Sequence, residues 1–357
     1  MSEWEPELEE LKFRESLAEK MGGSEKVERQ NERGKLNIRE RIALLLDEDS
    51  FHEIGKIAGK ATYDENGDLL DLQASNFIFG RGRIDDRTVV IAGDDFTVRG
   101  GAADASIITK QVAAEQMANE LNLPIIRLID GTGGGGSVKT LDPNEHSKGS
   151  ISANTYGRGA RTYVPLNPGW EYVISNLATV PTVSLCLGPV AGLGAARAVS
   201  SHYSVMVKDL SQLFVAGPPV VNALGIEEVD KESLGGSQIQ TRNGSIDDEV
   251  ESEEEAFAAA RKFLSYLPSS TFENSEKLST EDSTSRTDPN LNDIIPRDRR
   301  KVYRMRNIIE SVFDVHSFFE MSSSFGRSAI TGLARLDGWP VAVLAGDPYH
   351  YGGGWTA

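Results

Sequence analysis

The stretch Leu185-Cys186-Leu187-Gly188-Pro189-Val190-Ala191-Gly192-Leu193-Gly194-Ala195-Ala196-Arg197 holds the residues best placed for chemistry. An apolar run, Val180 to Leu187, reads as a strand that feeds a glycine-rich turn at Gly188. Small residues from Ala195 to Ser200 read as the helix that leaves it. The first N–H groups of such a helix have no partner within it, and the aligned peptide dipoles add positive potential. An anion, or an oxygen that turns negative during a reaction, is stabilised there without a charged side chain. The turn from Gly188 into that helix is therefore a candidate site for an anion or a developing oxyanion. The plain alternative is a tight strand–helix turn that needs glycine for packing.

Two further loops carry candidate residues. Ile129-Asp130-Gly131-Thr132-Gly133-Gly134-Gly135-Gly136-Ser137-Val138-Lys139 follows an apolar run and invites a phosphate-loop reading. The spacing argues against it. GxxxxGK[ST] needs its lysine where Ser137 stands, and Lys139 comes two places later. Phe96-Thr97-Val98-Arg99-Gly100-Gly101 ends another strand. Its glycines suit a close backbone approach to a ligand, and the Arg99 guanidinium suits phosphate oxygens. A surface salt bridge is the alternative for Arg99. His52, His146, His202, His316 and His350 are scattered, with no nucleophile motif and no metal-ligand spacing, and each reads as structural.

The elements that position these loops alternate between strand and helix, so the fold class is α/β. Phe77 to Ile84 and Thr88 to Ala92 read as strands joined through Asp85-Asp86. Ile125 to Ile129, Ser204 to Val207 and Gln212 to Ala216 are short runs rich in branched residues. Glu3 to Met21, Asn37 to Asp47 and Ala105 to Leu121 read as helices. Asp247 to Glu255 reads as a solvated acidic run before a helix, with Ser252 and Glu255 as a capping box. The 357 residues, 39% of them hydrophobic, are enough for about two domains. A net charge of −17 argues against nucleic-acid and anionic-membrane partners. The lone cysteine, Cys186, excludes an internal disulfide and a paired-cysteine zinc site. No apolar run reaches membrane-spanning length.

Several motifs, in order, resemble one family. They are the segment Arg33-Gly34-Lys35-Leu36-Asn37-Ile38-Arg39-Glu40-Arg41 through Ile54, Phe96 to Gly101, the loop Gly188 to Ala195, and Phe214-Val215-Ala216-Gly217-Pro218. Leu234-Gly235-Gly236 and Tyr266-Leu267-Pro268 come next. From about Gly34 to Leu344 the chain resembles the carboxyltransferase (β) subunits of biotin-dependent acyl-CoA carboxylases, of the propionyl-CoA and methylcrotonyl-CoA carboxylase kind. The resemblance implies a crotonase-like ββα superhelix. It also implies transfer of a carboxyl group from carboxybiotin to a small acyl-CoA, through a thioester enolate held by backbone N–H groups. It places that oxyanion hole at Gly192 and Leu193, with Gly194 sharing the conformational task. It places substrate contacts at Arg99, Gly100, Gly101, Asp130, Gly131, Gly133, Gly134 and Ala191. Biotin is expected on a partner protein, with CoA thioester as substrate and no metal in this chain. Expected partners are a biotin carboxylase or biotin carrier subunit and further copies of the chain. The expected location is cytoplasmic, with the mitochondrial matrix open. This sequence departs from the family pattern at Leu193, which replaces a second glycine. It departs again at Ala102-Ala103, at Gln240 and Asp247 where histidines are usual, and in the tail Tyr351 to Ala357.

The domain reading is residues 1–285 as an acyl-CoA-binding unit, 286–300 as a linker overlapping the end of the polar stretch Ser269 to Pro296, and 301–357 as an incomplete second copy. Phe318-Phe319-Glu320 followed by a hairpin through Asp337-Gly338 repeats Phe51-His52-Glu53 and the hairpin through Asp85-Asp86. About sixty residues cannot bury a full α/β core alone. Two alternatives stay open: a biotin-linked acyl-CoA decarboxylase, and a truncated subunit that binds acyl-CoA or assembles without turnover.

Overall fold

The computed structural model describes residues 3–102, 107–131, 170–225, 228–280 and 282–355. Its main sheet has eight strands in the order β1 (His52–Glu53), β4 (Phe77–Ile84), β5 (Arg87–Asp94), β6 (Ile125–Gly131), β7 (Thr182–Ala191), β8 (Tyr203–Val207) and β10 (Asp248–Val250), with β9 (Gln212–Phe214) joining β7. β1, β4 and β5 pair antiparallel, and from β5 onward the pairing is parallel. Parallel strands covered on both faces read as continuous apolar runs, as Val89–Ala92 and Leu185–Leu187 do. On one face lie α3 (Ile38–Leu45) and α7 (Glu253–Ser265), whose Ile38, Ile42, Leu45, Phe257 and Phe263 join the central cluster. On the other lie α4 (Ile108–Leu121), through Ala114 and Ala118, and α6 (Leu193–Val199), through Ala195 and Ala198. α5 (Trp170–Thr179) leads into β7. α3 opens on a full capping box. The Asn37 side chain accepts from the N–H groups of Arg39 and Glu40, and Glu40 returns to the Asn37 N–H at 2.8 Å.

Four features differ from the sequence reading. α1 (Glu5–Glu19) is followed by a second helix, α2 (Ser24–Asn31), whose polar sequence hides it. A separate hairpin, β2 (Gly59–Tyr63) with β3 (Leu69–Ala74), gives α1 a surface to bury Leu17 and Ala18. β7 does not turn at Gly188. It runs on to Ala191, because β9 pairs with Pro189–Ala191. The acidic run is only partly solvated. Glu253 is buried, Asp247 accepts from Ser204, and the Glu255 carboxylate reaches Glu251 N–H, so only the Ser252 half of the capping box forms. Among the described residues, no helix is long and apolar enough to cross a membrane.

The internal repeat is visible bond by bond. Asp47 accepts from the N–H groups of Asp85 and Asp86 at 3.1 and 2.9 Å. Asp314 accepts from Asp337 and Gly338 at 2.9 and 2.7 Å. Ser50 Oγ accepts from Arg83 N–H at 3.0 Å, as Ser317 Oγ accepts from Arg335 N–H at 3.0 Å. Arg39 pairs with Glu53 as Arg306 pairs with Glu320. The second copy contributes α8 (Met305–Val312) and the sheet β11 (Phe319–Met321), β12 (Ala329–Leu336), β13 (Trp339–Gly346). Between Leu267 and Arg304 the regular structure among the described residues is one 3-10 turn at Pro289–Asn292. The copies share a core. Phe319 packs on Tyr203 and Tyr266, and the Tyr266 hydroxyl donates to the Ser317 carbonyl.

Each aspartate holds a hairpin turn by two hydrogen bonds. Replacing Asp314 or Asp47 with alanine is expected to lower unfolding free energy by about 1–2 kcal/mol in urea titrations. A loss under about 0.5 kcal/mol at both sites would mean the turns stand without them.

Candidate functional site

The C-terminal ends of β5, β6 and β7 converge on one buried carboxylate. Pairing runs from Ile129↔Cys186 to Gly131↔Val190, so three residues of β7, Leu187–Pro189, face Asp130 alone. Such a bulge bends a strand and re-aims the residues beyond it. The Asp130 carboxylate has no exposed surface and lies under the bulge. It accepts from Lys35 Nζ at 2.7 Å and from Arg41 Nη1 at 2.8 Å. Arg41, also wholly buried, gives Nε to Glu253 at 2.6 Å and Nη2 to Glu253 and the Leu187 carbonyl at 3.0 and 2.9 Å. Gly188 has no room for a side chain: a Cβ there would overlap the Asp130 carboxylate and the Lys35 ammonium. Asp94, at the end of β5, accepts from the Asp130 N–H at 3.2 Å. Burial pushes its carboxyl up to about 6, against the opposing pull of Arg197 and of that N–H.

Beside this network lies a cleft of about 460 Å³. Lys26, Arg29, Arg33, Lys35, Arg99 and Lys231 line it, with Asp209 the one carboxylate in the lining. Six cations in one cleft of a chain with net charge −17 set a local positive potential, with Arg29 also paired to Glu25 at 2.7 Å. Lys26, Arg29 and Arg33 follow helical spacing along and just beyond α2, which presents them together. Phe96, Gly100, Pro189 and Gln212 complete the walls. The turn Arg99-Gly100-Gly101 has φ of 52, 64 and 66°, a left-handed run that glycine makes accessible. At Gly101 a Cβ would lie 2.6 Å from the Asp130 carbonyl oxygen and 2.7 Å from Gly131 Cα, so the turn rests directly on the end of β6.

At the glycine loop the structure reassigns a donor. The Gly192 N–H points to the Phe214 and Val215 carbonyls, at 3.2 and 3.1 Å, because β9 continues alongside. The expected donor at Gly192 is thus already used. The N–H groups of Leu193 and Gly194, first in α6, donate to nothing among the described residues. The Leu193 side chain is 52% exposed, directed away from the core. Ala191 lies on β7, paired to Phe214. The structure brings Arg99, Gly100 and Lys35 to one cleft, with Asp130 and Gly131 behind it. Gly133 and Gly134 lie outside the described residues. Sequence reasoning did not assign Lys26, Arg29, Arg33, Lys35 and Lys231; the helical spacing of the first three was the available signal. Among the described residues, no cluster of three or more His, Cys, Asp or Glu could hold a metal ion.

A carboxyl raised on folding is preferred protonated by the native state. Ionised Asp94 therefore opposes folding above pH 6, and the opposition fades as pH falls toward the unfolded value near 4. Asp94→Asn keeps an acceptor for the Asp130 N–H and removes the charge. It is expected to add about 2 kcal/mol of stability at pH 7 and little at pH 4, in paired urea titrations. A gain that does not shrink in acid would show that the Asp94 charge is not its source.

Residues 29–357 match the family model described as the carboxyl transferase domain. The propionyl-CoA carboxylase beta chain of Roseobacter denitrificans is 31% identical over 342 residues, covering 96% of this chain and 63% of that protein. The methylmalonyl-CoA decarboxylase subunit alpha of Veillonella parvula is 29% identical over 328 residues, covering 92% of this chain and 60% of that protein. Transcarboxylase 12S, solved as a hexamer assembly with methylmalonyl-coenzyme A and methylmalonic acid bound, superposes with a TM-score of 0.82. It is 28% identical, over 99% of this chain and 65% of that one. The chain thus spans less than two thirds of these relatives, and it shares its α/β, crotonase-like architecture with transcarboxylase 12S. With residues 29–357 matched by the family model and a relative 31% identical across 96% of its length, the chain belongs to the carboxyl transferase family.

Proposed function

We propose that this chain binds a small acyl-CoA and serves as the carboxyltransferase part of a biotin-dependent acyl-CoA carboxylase. The cationic cleft beside the Arg99 turn carries the reading. Coenzyme A brings a pyrophosphate and a 3′-phosphate, and Lys26, Arg29, Arg33 and Arg99 offer matching charge. From the cleft the pantetheine would pass the walls at Gly100 and Pro189 toward the loop before α6. There the N–H groups of Leu193 and Gly194 would receive the thioester oxygen as it gains negative charge. Biotin on a partner protein, a carboxylase or carrier subunit, would supply the carboxyl group. A carboxyl-removing role is the second reading, supported by the similarity to a methylmalonyl-CoA decarboxylase subunit. Self-assembly, a cytoplasmic location, and a division at 1–285, 286–300 and 301–357 complete the proposal.

Calorimetric titration with coenzyme A tests it. Lys26→Ala/Arg29→Ala/Arg33→Ala is expected to weaken binding by about tenfold or more, roughly 1.4 kcal/mol or more. Raising salt should weaken the wild type more than this variant, since exposed charges are screened. Binding indifferent to both would remove the cleft as the coenzyme A site.

A further inference from the structure

We propose that Lys35 is a positioning residue, joining an anionic ligand in the cleft, across Asp130, to the β7 bulge that aims Leu193 and Gly194. The proposal rests on the reading of the cleft as the coenzyme A site.

Lys35 differs from every other cation of that cleft. Lys26, Arg29, Arg33, Arg99 and Lys231 are exposed, whereas Lys35 keeps only 8% of its surface. Its ammonium is held in place, 2.7 Å from Asp130 and 4.3 Å from the centre of the Phe96 ring. An ammonium carries three donors, and among the described residues Asp130 is its one hydrogen-bond acceptor, which leaves donors toward the cleft that Lys35 lines. Arg41 has no such freedom. Its fork is committed to Glu253, Asp130 and the Leu187 carbonyl.

The two sides of Lys35 meet different parts of the site. Toward the cleft stands the ligand. Away from it stands Asp130, whose carboxylate lies against Gly188 in the bulge and whose backbone carries the Gly101 contact. Lys35 and Arg41 balance Asp130 and Glu253, two charges of each sign. A ligand phosphate drawn to Lys35 would compete for its charge and alter its hold on Asp130. Bending of β7 at Leu187–Pro189 would then respond to occupancy of the cleft.

Behind Lys35 stand Asp130 from β6, Arg41 from α3, Glu253 from α7 and the neutral Phe96 ring, and across the cleft Lys26, Arg29, Arg33, Arg99, Asp209 and Lys231. Burial lowers its affinity for a proton, which Asp130 partly restores. Wild-type affinity for coenzyme A should therefore fall, as pH rises, below the pH near 10.4 at which an ordinary lysine titrates. Lys35→Arg keeps its charge throughout and is expected to bind like wild type at pH 7, without that fall. Lys35→Met is expected to bind about tenfold more weakly at pH 7 and to lose the pH dependence. Coenzyme A should slow amide hydrogen exchange across Leu187–Gly194 in the wild type and in Lys35→Arg, and not in Lys35→Met. Melting curves run alongside separate binding from folding. A Lys35→Met protein that melts lower yet binds and protects the bulge like wild type overturns the proposal and leaves Lys35 a structural charge. If Lys35→Met does not fold, an unaltered pH fall in Lys35→Arg overturns it instead. A wild type that binds no coenzyme A overturns the cleft reading and this inference together.

Discussion

The ion pair between Arg41 and Asp130 is the interaction on which the functional end of the sheet depends. Neither side chain has exposed surface, and the charges lie 2.8 Å apart. Taking one charge out of water costs several kcal/mol unless partners compensate it. Asp130 therefore needs Lys35 as well as Arg41, and Arg41 needs Glu253. One buried carboxylate thus recruits α3, α7 and the segment before α3 to the ends of the strands. The Arg41 bond to the Leu187 carbonyl then fixes β7 at the place where it bulges. Removing any one member leaves another charge uncompensated, so the network stands or fails as a unit.

The repeat separates what the fold requires from what the site requires. Both copies use an aspartate to hold a hairpin turn, a serine to close the preceding loop, and an arginine–glutamate pair to tie helix to strand. Both continue from the hairpin into the same left-handed turn, since Tyr351, Gly352 and Gly353 have φ of 50, 65 and 81°. The side chains diverge where ligand chemistry would read them. Arg99 stands beside a cationic cleft, and its counterpart Tyr351 is an exposed aromatic ring. Backbone hydrogen bonds preserve the turn, and side chains are free to change its use.

Legibility in the sequence depends on how local each signal is. The two hairpins announce themselves by apolar strands and Asp-Asp or Asp-Gly turns, and the structure places them within a residue or two at most ends. The path of β7 past Gly188 is not local. Its partner β9 lies more than twenty residues later, and the bulge answers a carboxylate on another strand. Glu253 reads as solvated because its partner, Arg41, is 212 residues away in sequence. Gly192 reads as a donor because the carbonyls that take its N–H belong to Phe214 and Val215. Lys26, Arg29 and Arg33 were legible as one helical face, but α2 is short and polar and carries no apolar stripe to reveal a helix.

Net charge and local charge make different statements about the ligand. A chain of −17 repels anions at long range, yet salt screens that field within about 8–10 Å. Six cations line the cleft with Asp209, Arg29 being also paired to Glu25 and Lys35 to Asp130, and the cleft walls focus the positive potential that is left. An anionic ligand that reaches the cleft mouth therefore meets attraction, and the acidic surface around it disfavours shallow binding elsewhere. The same contrast explains the burial of Lys35. An exposed ammonium on α2 can add charge to the cleft but cannot hold a strand end. A buried one with a carboxylate behind it can do both, because every shift in its hydrogen bonds is felt by a partner that has no water to turn to.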